Sequence, residues 1–264
     1  MYKMDLIKTD EKNNRILNNE PQLINSEIIF NGENNVLICE ENVILYESNI
    51  TFYGNNSIIY LSSNYNYYLL FVNIFNNSVL FIDENNYFNA KLFMILSEEK
   101  SIYIGKDSLF AQDVWIRLAD PHIIYDIDLM KRINSSKDVC LGDHIWIGQG
   151  AMILKGTNVG SGSIIGAKSV ISNKKVKSNS IFAGAPPKEI KRNIFFDGRS
   201  THKFTKNETE QSMHYSSDKW IYSNENAKTG FNKIEEINKI NDIDLKIVKI
   251  IELRNDKNKN RFFI

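Results

Sequence analysis

The chain has little of what marks several large classes of protein. Only two of its 264 residues are cysteines, Cys39 and Cys140, and neither belongs to a C-x-x-C pair, so we expect neither a disulfide framework nor a zinc site. The 32 Lys and Arg residues are balanced by 32 Asp and Glu residues, and no basic excess favours nucleic acid as a partner. No apolar run is long enough for a transmembrane segment, and the first residues lack the apolar core of a secretory signal. These absences predict a cytoplasmic location.

Composition divides the chain into three parts. Residues 1–24 are polar and aperiodic, which predicts an N-terminal arm. Residues 25–185 alternate short apolar runs with Asn and Gly clusters, a pattern typical of many short strands. Residues 186–264 are polar and aromatic at first and carry closely spaced isoleucines further on. We therefore expect a β-rich domain between an arm and a separate C-terminal segment.

A six-residue repeat runs through the middle part. Branched aliphatic residues occupy every sixth position at Leu141, Ile147, Ile153, Val159, Ile165 and Ile171. A looser run precedes it at Ile104, Phe110 and Ile116. The step predicts a short strand with one inward aliphatic side chain, followed by a tight corner at a small residue. Three strands close a triangular coil of eighteen residues, so we expect Leu141 to stack on Val159, Ile147 on Ile165, and Ile153 on Ile171.

The coils before this run are predicted to be wider. Apolar units recur from Ile38 to Leu61, Ile82 and Ile104, at steps of 23, 21 and 22 residues. Asn-rich stretches separate them, and Asn suits tight turns because it tolerates the left-handed backbone conformation. The sequence thus predicts one solenoid whose first coils have extra residues at the corners.

Part of the chain resembles the hexapeptide-repeat acyltransferases, and among them the bacterial capsule and sialic-acid O-acetyltransferases. The resemblance rests on the motifs IYIGKDSLFAQDVWIR and ADPHIIYD and on the run from Val139 to Asn193. The resemblance covers residues 100–195 well and extends more weakly back to residue 25. It implies an all-β solenoid, a left-handed parallel β-helix with an inserted catalytic loop and a C-terminal helical cap or extension. It also implies acetyl-CoA as acyl donor, a glycan acceptor, and a homotrimer with active sites between subunits.

The repeat is interrupted at residues 118–137, where the sequence ADPH cannot continue the six-residue step. Insertions of this kind form loops on one side of a solenoid and often carry function. In the family this loop holds the catalytic histidine, and the match falls on His122. An imidazole there would act as general base on the acceptor hydroxyl. Asp120 and Asp126 are the candidates to orient its ring.

Two further side chains near the repeat are candidates for the site. Trp146 precedes the inward Ile147, so its ring is expected to point outward, where the family has a Trp that lines the acceptor and thioester site. Burial against a neighbouring subunit is the alternative for this ring. Trp115 is expected to be a packing residue. His144, at a corner of the regular repeat, competes with His122 as the base.

The resemblance implies that the acyl donor lies along the glycine-rich coils. Glycines allow a pantetheine arm to approach the backbone closely, and Lys and Arg side chains neutralise phosphates. The candidate residues for coenzyme A are Gly148, Gln149, Gly166, Lys168, Ala183, Gly184, Lys188 and Arg192. A backbone N–H of Gly148 or Gln149 is the candidate donor to the thioester oxygen, which gains negative charge in the transition state. No metal is expected, since the solenoid offers too few histidines for a zinc site.

The C-terminal part is expected to be helical. The resemblance implies that the segment KEIKRN after Pro187 forms the short helix with which family members cover the open end of the solenoid. Isoleucines at three- and four-residue spacing from Ile234 to Ile251 predict an amphipathic helix, although DIDLKIVKIIEL also alternates like a strand. The role of this part stays open between oligomer packing, docking to a membrane enzyme and acceptor binding, and simple packing is the default.

The sequence favours an acetyl-CoA-dependent O-acetyltransferase that acts on a hydroxyl of a bacterial surface glycan, a capsule or lipooligosaccharide that contains sialic acid. One alternative is an acetyltransferase for small acceptors such as antibiotics or amino sugars. The other is a non-catalytic β-helix scaffold, because a fold alone does not establish a function. Retention of His122, Trp146 and the sequence Ala-Gly-Ala-Pro argues against the scaffold.

Overall fold

A three-sided coil is the repeating unit of the fold. Each side is one short strand with aliphatic side chains turned inward, and many corners hold an Asn or another residue with positive φ. The computed structural model describes residues 4–264, in which about seven coils stack into a parallel β-solenoid followed by a few helices.

The strands are short throughout the chain. The first coils contain β1 (Leu6–Thr9), β2 (Arg15–Asn18), β3 (Gln22–Ile24), β4 (Glu27–Phe30), β5 (Val36–Cys39), β6 (Ile44–Tyr46) and β7 (Asn49–Phe52). The middle coils contain β8 (Ile58–Leu61), β9 (Leu70–Ile74), β10 (Val79–Ile82), β11 (Tyr87–Phe88), β12 (Leu92–Leu96), β13 (Ile102–Ile104), β14 (Leu109–Phe110) and β15 (Trp115–Arg117). The last coils contain β16 (Val139–Leu141), β17 (Trp146–Ile147), β18 (Met152–Leu154), β19 (Asn158–Val159), β20 (Ile164–Ile165), β21 (Val170–Ile171), β22 (Lys175–Val176), β23 (Ser180–Ala183) and β24 (Lys188–Arg192).

Successive coils pair in parallel and build three long sheets. The first sheet has nine strands in the order β1-β2-β5-β8-β10-β13-β16-β19-β22. The second sheet has six strands in the order β11-β14-β17-β20-β23-β24, and the pair β3-β6 continues this side in the first coils. The third sheet has seven strands in the order β4-β7-β9-β12-β15-β18-β21. The chain passes through the first, second and third sheets in turn, so the corner between the third and first sheets lies opposite the second sheet.

The predicted stacking of the eighteen-residue coils is confirmed. Leu141 pairs with Val159, Ile147 with Ile165, and Ile153 with Ile171. All six side chains are fully buried in one core that fills the solenoid. The inward aliphatic side chains therefore stack coil on coil, as the six-residue step requires.

One upstream register differs from the prediction by a single residue. Leu61 pairs with Cys39, and not with Ile38. Cys39 faces the interior, whereas Ile38 packs outward against the C-terminal helices. All four residues of β5 are buried, so hydrophobicity alone does not distinguish the inner side of this strand from its outer side.

The N-terminal part is more ordered than the predicted arm. β2 and β3 lie within residues 1–24 and pair with the strands of the next coil. β1 folds back antiparallel on β2 at the end of the first sheet, and Leu17 is buried. These strands are too short and too rich in Asn to show a period in the sequence.

The end of the solenoid is covered by a strand, so the predicted helix in KEIKRN is wrong. The chain reverses at Gly184, where φ is +100°, and β24 then pairs antiparallel with β23. The free edge of the last coil would otherwise leave backbone groups unpaired. Pairing with β24 satisfies these groups on the second side of the solenoid.

The C-terminal segment is helical, as predicted, but the isoleucine stripe forms two helices. They are α2 (Thr229–Ile237) and α3 (Ile243–Arg254), preceded by α1 (Lys206–Gln211) and a single 3-10 turn at Thr201–Lys203. Asp242 caps α3 by accepting a hydrogen bond from the N–H of Leu245. The apolar sides of α2 and α3 cover the outer side of the first sheet. Within residues 4–264, no helix has the length and apolar character needed to cross a membrane.

Buried charges also join the C-terminal segment to the solenoid. The Arg261 guanidinium is almost fully buried and donates hydrogen bonds to Asp83 at 2.5 Å and to Asp143 at 2.7 and 2.9 Å. Arg254, at the end of α3, binds Glu40 at 2.6 Å and Glu84 at 2.7 Å. Each Arg binds carboxylates from two coils that have one coil between them, which fixes the helices on the first sheet.

Candidate active site

The insertion of residues 118–137, here called the histidine loop, projects from the corner between the third and first sheets. Its ends approach each other as a narrow hairpin, with an antiparallel bridge between Tyr125 and Arg132. The Asp126 carboxylate accepts hydrogen bonds from the N–H groups of Asp128 and Leu129 at the tip. Asp126 thus shapes the turn of this loop.

A charged pair anchors the loop to the coil before it. Arg132 donates two hydrogen bonds to Glu98, at 2.5 and 3.0 Å, and the Ser136 hydroxyl donates a third at 2.5 Å. The hydrogen bonds from Arg132, followed by those from Ser136, lower the pKa of Glu98 to about 2. The loop is therefore held by an ionised carboxylate at any ordinary pH.

His122 lies on the exposed side of the loop and lines an open cavity of about 330 Å³. Other residues around this cavity are Phe75, Ile95, Arg117, Ala119, Pro121 and Ile123. The backbone oxygen of His122 accepts a hydrogen bond from the Asn134 amide at 2.7 Å, which fixes the main chain beneath the ring. The Arg117 side chain brings a guanidinium to the same cavity, and its buried Nε has no hydrogen-bond partner within the described part of the chain.

The carboxylate of Asp120 is bound below His122. Lys155 donates to it at 2.5 Å and the Asn134 amide at 3.1 Å, and the contact with Lys155 is the main cause that lowers the pKa of Asp120. Across residues 4–264, no hydrogen bond joins the His122 ring to Asp120 or Asp126. Asp120 is therefore connected to His122 through the Asn134 amide, which also donates to the His122 backbone oxygen.

His144 differs from His122 in being inaccessible. Its ring is stacked between Phe196 and Trp220, with centroid distances of 3.9 and 3.7 Å. The two ring nitrogens face the backbone oxygens of Asp107 and Phe196, and burial lowers the pKa of the ring. These contacts argue against His144 as the base, because both nitrogens are engaged and solvent does not reach them.

Trp146 lies on β17 in the second sheet and its ring points outward, as predicted, with 43% of its surface exposed. Phe196 of the C-terminal segment lies beside it at a centroid distance of 6.0 Å. Trp115 instead stacks on Phe93 at 4.4 Å on the third sheet. Because the histidine loop leaves the corner opposite the second sheet, one chain does not bring His122 and Trp146 together.

Six of the candidate residues for coenzyme A share one corner of the solenoid. Gly148 and Gln149 follow β17, Gly166 and Lys168 follow β20, and Ala183 and Gly184 lie at the end of β23. These three strands are neighbours in the second sheet, so the residues form a column between the second and third sheets. On β24, Lys188 pairs with Ala183 beside the column, whereas Arg192 pairs with Ser180 at the other end of the strand and binds Glu189.

The glycines of this column are required by coil stacking. A Cβ on Gly148 would lie 2.5 Å from the Ala167 nitrogen, and one on Gly166 would lie 2.7 Å from the Ala183 Cβ. The N–H of Gly148 donates to the oxygen of Ile165 at 2.8 Å, which leaves the N–H of Gln149 as the candidate donor to a thioester oxygen. Lys168 is exposed and lies 3.7 Å from Asp113. The column thus combines a close-packed corner with an accessible amine, which fits a pantetheine arm and a phosphate.

Four residues of the site carried no signal in the sequence. Glu98, Asn134 and Lys155 hold the histidine loop, and Arg117 lines its cavity. Glu98 and Lys155 belong to the coils before and after the loop, so only the stacking register brings them to it. Among residues 4–264, no group of three or more His, Cys, Asp or Glu side chains could hold a metal ion.

No protein-family model matches the chain. Two curated proteins are similar to parts of it, both described as polysialic acid O-acetyltransferase. The one from Escherichia coli O1:K1 / APEC is 46% identical over 85 residues, and the one from Neisseria meningitidis is 53% identical over 87 residues. The matches cover 32% and 33% of this chain, and 27% and 40% of those proteins, so the chain spans less than half the length of these relatives.

Solved structures extend the similarity over most of the chain. The crystal structure of the polySia-specific acetyltransferase NeuO has a TM-score of 0.64 and 31% identity, covering 73% of this chain and 90% of that one. The polysialic acid O-acetyltransferase OatWY has a TM-score of 0.55 and 26% identity, covering 74% and 98%. The fold is thus a left-handed parallel β-helix of the hexapeptide-repeat class. The chain belongs to the family of β-helix acyltransferases that contains the polysialic acid O-acetyltransferases.

Proposed function

We propose that this protein is an acetyl-CoA-dependent O-acetyltransferase that modifies a hydroxyl of a bacterial surface glycan, with polysialic acid as the acceptor. The observation that carries the proposal is His122, an exposed imidazole on the only long insertion of the described solenoid, held at the edge of an open cavity. The two curated proteins that are similar to this chain are described as polysialic acid O-acetyltransferases. A cytoplasmic location is part of the proposal, since the acyl donor is an intracellular metabolite.

His122 acts as general base in this proposal. Its ring takes the proton of the acceptor hydroxyl while the oxygen attacks the thioester carbonyl, and the proton then passes to the departing thiol. Direct transfer follows, with no acyl group on the protein. Asn134 and Asp120 fix the main chain under the ring, and Glu98 with Arg132 holds the loop. The thioester itself supplies the acetyl group.

The column of Gly148, Gln149, Gly166 and Lys168 would hold the donor. A small side chain or none at each corner lets an extended arm lie against the backbone. The N–H of Gln149 would donate to the carbonyl oxygen as it gains negative charge. Ala183, Gly184 and Lys188 continue the column toward the end of the solenoid, where Lys amines would meet phosphates. Arg192 lies at the far end of β24 and would reach only a more distant phosphate.

A homotrimer would complete the site. His122 leaves the corner between the third and first sheets, whereas Trp146 lies on the opposite side of the same coils. Packing three copies about an axis brings the histidine loop of one subunit against the second sheet of the next. The exposed loop residues Ile127, Leu129 and Met130 supply apolar surface for that contact. His122 and Trp146 of neighbouring subunits would then share one site.

The test measures thiol release from acetyl-CoA with polysialic acid, free sialic acid, a neutral capsule oligosaccharide and chloramphenicol as acceptors. We expect release with polysialic acid, and a loss of about 10²- to 10⁴-fold in kcat for His122→Ala. His202→Ala is the matched control, since His202 is exposed and outside the solenoid. Coenzyme A binding and the melting temperature of His122→Ala should equal those of the wild type.

Each of the other outcomes would contradict a different part of the proposal. Unchanged turnover in His122→Ala would exclude it as the base. Release with chloramphenicol alone would indicate a small-molecule acetyltransferase. Absence of both release and coenzyme A binding would favour a scaffold.

A further inference from the structure

A second pocket lies at the corner between the first and second sheets, away from the histidine loop. It has a volume of about 320 Å³. The residues that matter for its chemistry are Tyr65, Asn85, Asp107, Leu109, Lys219 and Trp220. We call it the strap pocket, because the C-terminal segment crosses the solenoid here and contributes Lys219 and Trp220.

Its wall is rigid. Trp220 stacks face to face on His144 at 3.7 Å, and Phe196 closes the other side of the imidazole at 3.9 Å. Both nitrogens of His144 face backbone oxygens, so the ring is fixed in its plane. The Lys219 ammonium lies 4.2 Å from the centre of the Trp220 ring. The strap is thus held in place by an aromatic sandwich, with His144 on one face of the Trp220 ring and the Lys219 ammonium over the other.

The pocket adjoins the outward Trp146. Leu109, which lines it, is the direct strand partner of Trp146 in the second sheet. Phe196 lies against both His144 and Trp146. Trp146 and the strap pocket are therefore neighbours that meet at Leu109.

Exposed aromatic side chains continue from Trp146 along the second side of the solenoid. Tyr87 is two strands from Trp146 in the same outward row, which is about 10 Å at the strand spacing. Tyr67 follows in the next coil and stacks on Tyr46 at 5.5 Å. Tyr65 is 93% exposed at the mouth of the pocket. Large aromatic side chains left in water in one row indicate a binding surface.

The chemistry of the pocket suits a sugar ring. The exposed Tyr65 ring can pack against the C–H groups of a pyranose, while the Asn85 amide, the Asp107 carboxylate and the Lys219 ammonium offer both acceptors and donors to hydroxyl and carboxylate groups. One Asp beside one Lys leaves little net charge, so recognition would depend on hydrogen bonds and stacking.

We propose that the strap pocket is a glycan subsite, which holds a sugar unit of the acceptor chain while a different unit is acetylated. This inference rests on the proposed function, and it gives the C-terminal segment a role in acceptor binding. A polymer would extend from Trp146 past the pocket to Tyr87 and Tyr67. A single sugar would occupy the transfer site alone.

The experiment compares wild type, Tyr65→Ala and Trp220→Ala with two acceptors, long-chain polysialic acid and a single sialic acid glycoside. Tyr65→Ala is the primary variant, because its exposed ring makes few contacts whose loss would unfold the protein. We expect the KM for the polymer to rise roughly three- to tenfold, with kcat, the KM for acetyl-CoA and the kinetics with the single glycoside unchanged. Trp220→Ala should give a larger rise, and its melting temperature is measured alongside.

Binding is measured separately, by calorimetric titration of polysialic acid into the full chain without acetyl-CoA. Tyr65→Ala should weaken this binding by the same factor. Tyr215→Ala is the matched control, since it removes an equal side chain from the C-terminal segment outside the pocket. Equal losses in Tyr65→Ala and Tyr215→Ala, or no loss in Tyr65→Ala, would overturn the subsite.

The outcomes for the two proposals are distinguishable. Transfer to the polymer by the wild type, with an unchanged KM in Tyr65→Ala, would overturn the subsite and leave the proposed function intact. Polymer binding that depends on Tyr65, without any transfer, would overturn the proposed function and keep the pocket as a glycan site. Absence of both binding and transfer would overturn both.

Discussion

The outer sides of the first and second sheets are both rich in apolar residues, but only the first is covered by other elements of the chain. On the first sheet, Ile38, Tyr60 and Phe81 are buried under α2 and α3. On the second sheet, Tyr87 and Trp146 keep 44% and 43% of their surface exposed. The first sheet separates the core inside the solenoid from a second core under the helices, and the second sheet stays accessible to a ligand or another chain. The C-terminal segment makes this difference, because it covers one side and borders the other.

The first and third sheets also differ in the burial of their strands. β5, β8 and β10 of the first sheet are buried at all four residues. β9 and β12 of the third sheet alternate between buried and half-buried residues. Strands covered on both faces tend to be apolar throughout, whereas strands with one solvated face alternate. The unbroken runs VLIC, IIYL and VLFI therefore mark the side that the helices cover.

The largest effect on stability is expected from the buried charges that fix the helices. Arg261→Ala leaves Asp143 and Asp83 buried without their main partner, which should cost about 3–5 kcal/mol of unfolding free energy. Denaturant unfolding monitored by circular dichroism measures this loss. Arg199→Ala, at an exposed pair with Asp197, is the control and should change stability by less than about 1 kcal/mol. If both variants lose the same free energy of unfolding, the buried charges do not stabilise the covered side more than an exposed pair does.

A smaller effect is expected from the apolar contact itself. Ile250 is fully buried between α3 and the first sheet, so Ile250→Ala should cost about 2–4 kcal/mol. Leu245→Ala on the same helix is the control, because Leu245 is half exposed and should lose well under about 1 kcal/mol. If the two variants unfold at the same denaturant concentration, the helices do not form a second core.

The smallest effect is expected at the charged pair that holds the histidine loop on the open side. The Glu98 carboxylate is 40% exposed, so Glu98→Gln should cost less than about 1 kcal/mol of global stability. Its pKa is lowered from 4.5 to about 2, so the pair stabilises the loop above pH 4.5 and loses this effect as the pH falls from 4.5 to 2.

Hydrogen exchange of the loop amides tests this dependence. In the wild type, protection should decrease between pH 4.5 and 2, after correction for intrinsic exchange. In Glu98→Gln, protection should be low at every pH. Unchanged loop protection in this variant would show that Ser136 and Asn134 hold the loop without the charge.

The repeat predicted the fold because its signal is periodic and redundant. One inward residue in six was enough to give the stacking of Leu141 on Val159 and the eighteen-residue coil. The signal failed where no period exists, in the strands before residue 25 and in β24. Ile38 was assigned inward in place of Cys39, because both are buried and the second core was not visible in the sequence.

The site was predicted only in part for the same reason. His122 stood out because it lies where the repeat is interrupted and where the resembling family has its catalytic histidine, and its role as base stays a prediction. Glu98, Asn134 and Lys155 did not stand out, since each is an ordinary polar residue whose role depends on the residue that faces it. The strap pocket was invisible, because its walls come from Tyr65 and Trp220, which are far apart in the chain.

The sequence by itself determined the coil, its three strands and the position of the interruption, because these depend on the local spacing of apolar and small residues. Only the tertiary structure decided which sheet is covered, which carboxylates meet Arg261, and which aromatic side chains stay in water. Those features arise between segments that are more than a hundred residues apart, where burial depends on the packing of whole elements. Local periodicity in the sequence therefore does not predict such contacts.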